Sequence, residues 1–169
     1  MTVTVRRAIP EDVPFLVGLV THEDVAPFLA VVRASPEEDV AAEVARSLAE
    51  PDDFGVRVFA VEGERAGTAT WEQVNRRSRI ASVGAFAIDP AHRGRGVGDE
   101  AARALQRHLL GELGFHRLQM EIYAFNERAL RHAQRAGWVR EGVRRKAYRR
   151  DDEWVDGILF GLVAEDFEP

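Results

Sequence analysis

Six residues, Arg93-Gly94-Arg95-Gly96-Val97-Gly98, stand between an extended run and a helix start, and they constrain the fold more than any other stretch of the chain. Ile80 to Ile88 is β-rich, whereas Ala101, Ala102, Leu105, Leu109 and Leu113 recur at helical spacing and stop at Gly114. A strand that turns at once into a helix requires a sheet with a helix packed on it, so purely helical and purely β architectures are excluded. The three glycines let the backbone approach a ligand closely, and the helix start adds free N–H groups and the positive end of the helix dipole. The segment therefore reads as a phosphate cradle. It is not a P-loop, because no lysine is near, and it is not the dinucleotide fingerprint GxGxxG, because Asp99 stands where the third glycine is needed.

The remaining elements follow from period and punctuation. Val3 to Ala8 reads as a strand, and Pro10-Glu11-Asp12 opens a helix with Val13, Leu16, Val17 and Val20 on one face. Ser35-Pro36-Glu37-Glu38 starts a second helix that runs to about Leu48, with Ser35 as cap and Glu38 bonding back to its amide. Val56–Val61 and Thr68–Val74 read as strands joined at Glu62-Gly63-Glu64-Arg65, with Ile80–Ile88 completing a meander. Leu118 to Ala124 is a further strand, Asn126 caps a helix through Ala136, and strands over Trp138–Arg149 and Trp154–Val163 close the chain. The expected fold is α+β, a mixed and mostly antiparallel sheet of about seven strands flanked by helices. No repeat or long linker divides residues 1–169, which are read as a single domain.

Charge is distributed unevenly. The formal net charge of −5 resolves into −8 over residues 1–72, +10 over 73–150 and −7 over 151–169. A basic middle suits an anion, and an acidic first third suits a cation. With 0 cysteines, a protein thiolate, a CxxC redox pair and the usual zinc finger are excluded, and no metal is expected. The absence of a signal peptide, of an 18-residue apolar run and of cysteine places the protein in the cytoplasm, off the membrane.

The glycine segment resembles the signature of the GCN5-related N-acetyltransferase (GNAT) family, Arg or Gln followed at fixed spacing by two small residues, with Arg93, Gly96 and Gly98 in place. Val83 to Pro90 is similar to that family's fourth strand, and Asn126-Glu127-Arg128-Ala129 with Gly137-Trp138 is similar to its later helix. Glu141-Gly142 and Trp154-x-Asp156-Gly157 resemble the branch of ribosomal-protein N-terminal and spermidine acetyltransferases. The resemblance implies an acyl-CoA N-acyltransferase-like fold, acetyl-CoA as co-substrate and an amine as acceptor. It also implies that the turn from Gly94 through Arg95, Gly96, Val97 and Gly98 to Asp99, with Arg93, holds the pyrophosphate. Phe86, Ala87 and Ile88 would pair with the pantetheine arm like an added strand, Asn126 would bond the arm near the thioester, and Arg131 would meet a phosphate.

Proton transfer is less well served. Family members often carry a tyrosine seven residues after the helix-opening Asn, and here that residue is Ala133. His132 lies about 100° around the helix and is read as a solvated surface histidine. Residues 79–88 hold no carboxylate, so Glu72 is the base candidate, with Glu121 on another neighbouring strand as the second. Deprotonating a lysine-type amine at pH 7 costs about 4.6 kcal/mol, against about 1 to 1.4 kcal/mol for an α-amine. A site with no strong base suits α-amines. Two other readings stand beside catalysis: a CoA-binding sensor of the same fold, and a nucleic-acid module built on Arg140 to Arg150, where cations protecting a strand edge are the plainer account. Trp154 to Phe160 is read as an edge able to pair with a second copy in a homodimer, or as the last strand of a monomer.

Overall fold

The computed structural model describes residues 1–167. Seven strands form one sheet in the order β1-β2-β3-β4-β5-β7-β6. They span Val3–Arg7 (β1), Phe54–Val61 (β2), Glu64–Asn75 (β3), Ile80–Ile88 (β4), Arg117–Tyr123 (β5), Val139–Arg150 (β6) and Glu153–Val163 (β7). The helices are α1 (Val13–Val20), α2 (Pro36–Ala49), α3 (Val97–Gln106) and α4 (Glu127–Arg135). All strand pairs are antiparallel except β4 with β5. This is the α+β layer architecture expected, with no membrane-length apolar helix among the described residues.

β2 shows why the sheet lies in the middle. Its residues Phe54 to Ala60 are all buried, because both faces are covered. Val56 and Val58 join Leu16, Leu19, Val40 and Val44 under α1 and α2, while Phe59 joins Trp71, Val83, Leu105, Leu109 and Phe160 on the opposite face under α3.

Several local expectations need correction. Pro10–Asp12 forms a 3₁₀ turn before α1 begins, and Asp12 is wholly buried. Its carboxylate accepts from Arg6 Nη1 and Nη2 at 2.6 and 2.8 Å and from Arg65 Nε at 2.7 Å, so the sequence feature read as a helix start is the hub of an ion cluster. Ser35 makes no side-chain cap, and the carboxylate that returns to its amide is Asp39 at 3.3 Å, not Glu38. The helix after the glycine segment continues from α3 as a π-helical turn over Arg107–Glu112 before Gly114 ends it with a φ of 67°. β7 is paired by β6 along most of its length and by β5 over Gly157 to Val163, so the stretch read as an edge lies inside the sheet from Gly157 on, whereas Trp154 and Val155 pair with β6 alone; the outermost strands are β1 and β6.

Candidate active site

Two features of β4 open the sheet at its centre. β4 and β5 are paired only at Ile80, Ala81 and Ser82, so the β5-facing backbone of β4 beyond Ser82 has no ladder partner. On the other side Thr68 pairs with Ala87 and Thr70 with Gly84, so an extra residue bulges from β4, and Ala85 takes a φ of 47° there. A β-bulge kinks its strand and increases twist, which carries β4 away from β5. The cleft so formed holds a cavity of about 330 Å³ at its centre and one of about 450 Å³ at the glycine turn. Phe86, Asn126, Ala129 and His132 line both, so the two are one continuous path.

At the outer end the glycine turn behaves as its letters suggest. Gly94 and Gly96 both have a φ of 78°, a region that L-residues with a Cβ rarely occupy. Gly96 is the residue preceding α3, and its neighbours Gly94, Val97, Gly98 and Asp99 line the cavity with Ala87 and Ile88. Arg93 reaches the Ile88 carbonyl at 3.2 Å and the Asp24 carbonyl at 3.2 Å, tying the turn to the end of β4 and to the loop after α1. Burial and the nearby Arg128 both hold its pKa below the ordinary value. Arg95 is exposed, bonds the Ala91 carbonyl and is not in the wall.

The α4 arginines differ from the expectation. Arg131 is exposed, pairs with Glu127 at 3.2 Å and lines neither cavity. Arg128 and Arg135, three residues before and four after it, face the glycine-turn cavity. Helical phase decides this, because residue 131 lies about 60° or 40° away from the direction those two share. The Asn126 side chain caps α4 by accepting from Ala129 N at 3.2 Å, and the residue also lines the cleft. His132 is not a solvated surface histidine. It packs on Phe86 with ring centroids 5.5 Å apart, sits 3.2 Å from Asp99 Oδ1 and has its pKa lowered, chiefly by burial. Ala133 is buried in the core, so the residue in the usual tyrosine position supplies only bulk.

Glu72 does not line the central cavity. Its carboxylate is about half exposed, holds Arg46 Nη2 at 2.7 Å, and lines a separate cavity of about 260 Å³ on the α2 side. Glu121 lies in the central cavity instead. The Tyr148 hydroxyl donates to Glu121 Oε2 at 2.6 Å, Arg144 stands 3.5 Å from the same oxygen, and Oε1 is buried without a partner. Burial and the adjacent carboxylate push the Tyr148 pKa up to about 12. Tyr148 therefore remains a donor at neutral pH and orients Glu121 rather than giving up its proton.

Glu121 is on β5 and Tyr148 on β6, with β7 between them. Their side chains meet over Gly157 of β7. A methyl group at that residue would lie 2.8 Å from Glu121 Cδ and 2.9 Å from Tyr148 Cε2. Tyr148 falls inside an arginine run whose letters favour a charge argument, so the sequence does not single it out as a partner of Glu121. The Trp154-x-Asp156-Gly157 letters were the available signal, since Gly157 makes room for the pair and Asp156 accepts from the Lys146 amide at 2.7 Å, closing the bulge that aims Tyr148. In the same run Arg149 pairs with Asp152 at 3.6 Å, and Arg150 bonds the Pro27 carbonyl and stacks over Tyr123.

A mixed sheet opened between its two central parallel strands, with a helix N-terminus at the mouth, defines the acyl-CoA N-acyltransferase architecture. The family described as "Acetyltransferase (GNAT) domain" matches residues 2–139, and the chain belongs to it. An uncharacterized prophage-derived N-acetyltransferase of Bacillus subtilis (strain 168), YokL, is 28% identical over 120 residues, 70% of this chain and 67% of that protein. The spermidine N-acetyltransferase of Vibrio cholerae, solved with CoA and spermine, superposes with a TM-score of 0.85 at 16% identity, covering 98% of this chain and 97% of the other. A ribosomal-protein-S5-alanine acetyltransferase of Vibrio fischeri superposes with a TM-score of 0.84 at 18% identity over 100% and 97% of the two chains. The protein is an acetyl-CoA-dependent N-acetyltransferase.

Proposed function

We propose that acetyl-CoA lies along the β4–β5 cleft and that its acetyl group passes to a primary amine whose proton is taken by Glu121. The observation that carries this reading is the continuity of the cleft from the glycine turn to a buried carboxylate oxygen with no partner. The pyrophosphate sits on the amides from Gly94 to Asp99, with Arg128 and Arg135 facing it, in place of Arg131. The pantetheine amides pair with the free edge of β4 at Phe86, Ala87 and Ile88 as an added strand would. When bound, acetyl-CoA supplies the activated thioester carbonyl.

Glu121 Oε1 accepts a hydrogen bond from the incoming ammonium and then its proton, while Tyr148 keeps the carboxylate in one rotamer. The amine attacks, the C–N bond forms, the C–S bond breaks, and the thiolate leaves to equilibrate with water. Once the attacking nitrogen has lost its proton, a thiolate is a far better leaving group than the amide anion of an amine, so the tetrahedral adduct collapses toward the N-acetyl product. A buried base removes the need for an acceptor that is already neutral, which leaves the substrate class to the walls of the cleft.

The test is thiol release from acetyl-CoA with a panel of amines, compared between the wild-type protein and Glu121→Gln. The variant retains the hydrogen bond from Tyr148 and loses the base. Its kcat/KM should fall by about 10²- to 10⁴-fold at pH 7 and recover as pH approaches the amine pKa, with CoA affinity unchanged. A variant with wild-type rate at pH 7 would remove Glu121 from the reaction.

A further inference from the structure

We infer that the inner end of the central cavity is an apolar acyl pocket, so that the protein transfers propionyl and butyryl groups from their CoA thioesters as well as acetyl. This goes beyond acetyl transfer and rests on the reading that CoA lies along the β4–β5 cleft. The cleft continues past the stretch assigned to the pantetheine arm. Ala85, Gly84 and Val83 separate Phe86 from Ser82, where β4 rejoins β5, a run of about 10 Å. All five of these residues line the central cavity. A two-carbon acetyl group takes up only part of that length.

The helices that face β4 across this space bring small side chains to it. Ala102 of α3 lines the cavity, as do Ala129 and Ala133 of α4, which are one turn apart, and each presents no more than a methyl group. Val83, Leu118 and Trp138 complete an apolar lining, and all three are buried. Among the described residues the lining holds no lysine or arginine, and its carboxylate is that of Glu121. An acyl tail that ends in a carboxylate would therefore lie unpaired near a like charge. A hydrocarbon tail needs no partner, and each methylene moved from water onto such a wall is worth about fourfold in binding. At about 330 Å³ the cavity is at the small end of ligand sites, so the tail that fits beside the amine is short. The bond changes are those of acetyl transfer. The amine nitrogen bonds to the acyl carbonyl carbon and gives its proton to Glu121, the C–S bond breaks, and CoA leaves as a thiolate that takes a proton from water.

The experiment compares acetyl-, propionyl-, butyryl- and succinyl-CoA as donors in thiol-release assays, with the best acceptor among alanine amide, spermidine and propylamine held fixed. In the wild-type protein kcat/KM for propionyl- and butyryl-CoA should lie within tenfold of that for acetyl-CoA. A larger drop for either overturns the pocket, and succinyl-CoA used as well as butyryl-CoA overturns its apolar character. Ala133→Leu places a branched side chain in the inner wall, so the ratio of butyryl to acetyl transfer should fall by tenfold or more, and a smaller fall overturns the assignment. Thermal melting reports whether that variant folds, and Ala102→Val, which fills the same space from α3, is held to the same criterion if it does not. If no amine is acylated by any donor although CoA binds, the acetyl-transfer reading falls by itself. Calorimetry then decides the pocket separately: butyryl-CoA should bind at least threefold tighter than acetyl-CoA to the wild-type protein, with the difference lost in the filled variant. Equal binding of the two thioesters to the wild-type protein overturns it.

Discussion

Replacing Gly157 by alanine should cripple the enzyme without unfolding it, although this glycine lies in a β7 strand away from the cofactor turn. The added methyl would run into Glu121 Oε1 itself and approach Glu121 Cδ to 2.8 Å and Tyr148 Cε2 to 2.9 Å, where ordinary carbon contacts are about 3.5 to 4.0 Å. The carboxylate must then retreat by at least about 1 Å and the ring by somewhat less, and the 2.6 Å bond between them is lost or lengthened. The atoms that yield are the far ends of side chains, so the stability cost should stay near the lower end of the usual 1 to 3 kcal/mol for overpacking. A base displaced by about 1 Å from its working position costs about 10²-fold in rate, or about 2.7 kcal/mol of transition-state stabilisation. Gly161→Ala provides the matched control, because its methyl crowds another carboxylate pair, Glu141 and Arg117, with Arg117 Nη1 at 2.5 Å and Glu141 Cδ at 2.6 Å, outside both parts of the cleft. Steady-state thiol release, CoA titration and thermal melting on both variants are the assays. A Gly157→Ala enzyme within threefold of wild type, or a Gly161→Ala enzyme as impaired as Gly157→Ala at equal stability, would refute the reasoning.

Asp12→Asn should lower stability by about 2 to 3 kcal/mol, below the usual cost of breaking a buried pair because Arg6 and Arg65 are each 41% exposed and can rehydrate. For a chain of this size that is a Tm lower by about 5 to 10 °C. Arg6 and Arg65 hold the Asp12 carboxyl well below the usual carboxylate range, so its stabilisation is complete above the unfolded pKa of about 3.9 and is lost as pH falls through the folded value. The wild-type protein should therefore lose stability more steeply than Asp12→Asn when titrated below about pH 4. Gly96→Val, at a φ of 78°, should weaken CoA binding by tenfold or more in calorimetry, with its melting temperature reporting the strain separately. Arg135→Ala and Arg128→Ala should each weaken CoA and flatten its salt dependence, while Arg131→Ala should change neither.

Most strands and helices and the glycine turn were legible in the chain because they depend on short-range rules. Gly96 and Gly98 behind Arg93 need no partner to make a turn, and the period change at Val56 marks strands wherever they end up. The carboxylate proposed as base was not legible. Glu72 and Glu121 look alike as letters on strands, and what separates them is that β5 lines the opened cleft while Glu72 meets Arg46 across a helix. Likewise Arg128, Arg131 and Arg135 are equivalent in composition, and helical phase against the cleft chooses between them.

By itself the sequence determined the sheet-and-helix class, the glycine turn and the charge asymmetry, each set by residues close together in the chain. Only the tertiary structure brings together Glu121 of β5, Tyr148 of β6 and Gly157 of β7, the centre proposed for the reaction. Strand order rather than chain order makes these residues neighbours. The parting of β4 from β5 after three pairs also depends on a bulge whose effect exists only once the strands lie side by side.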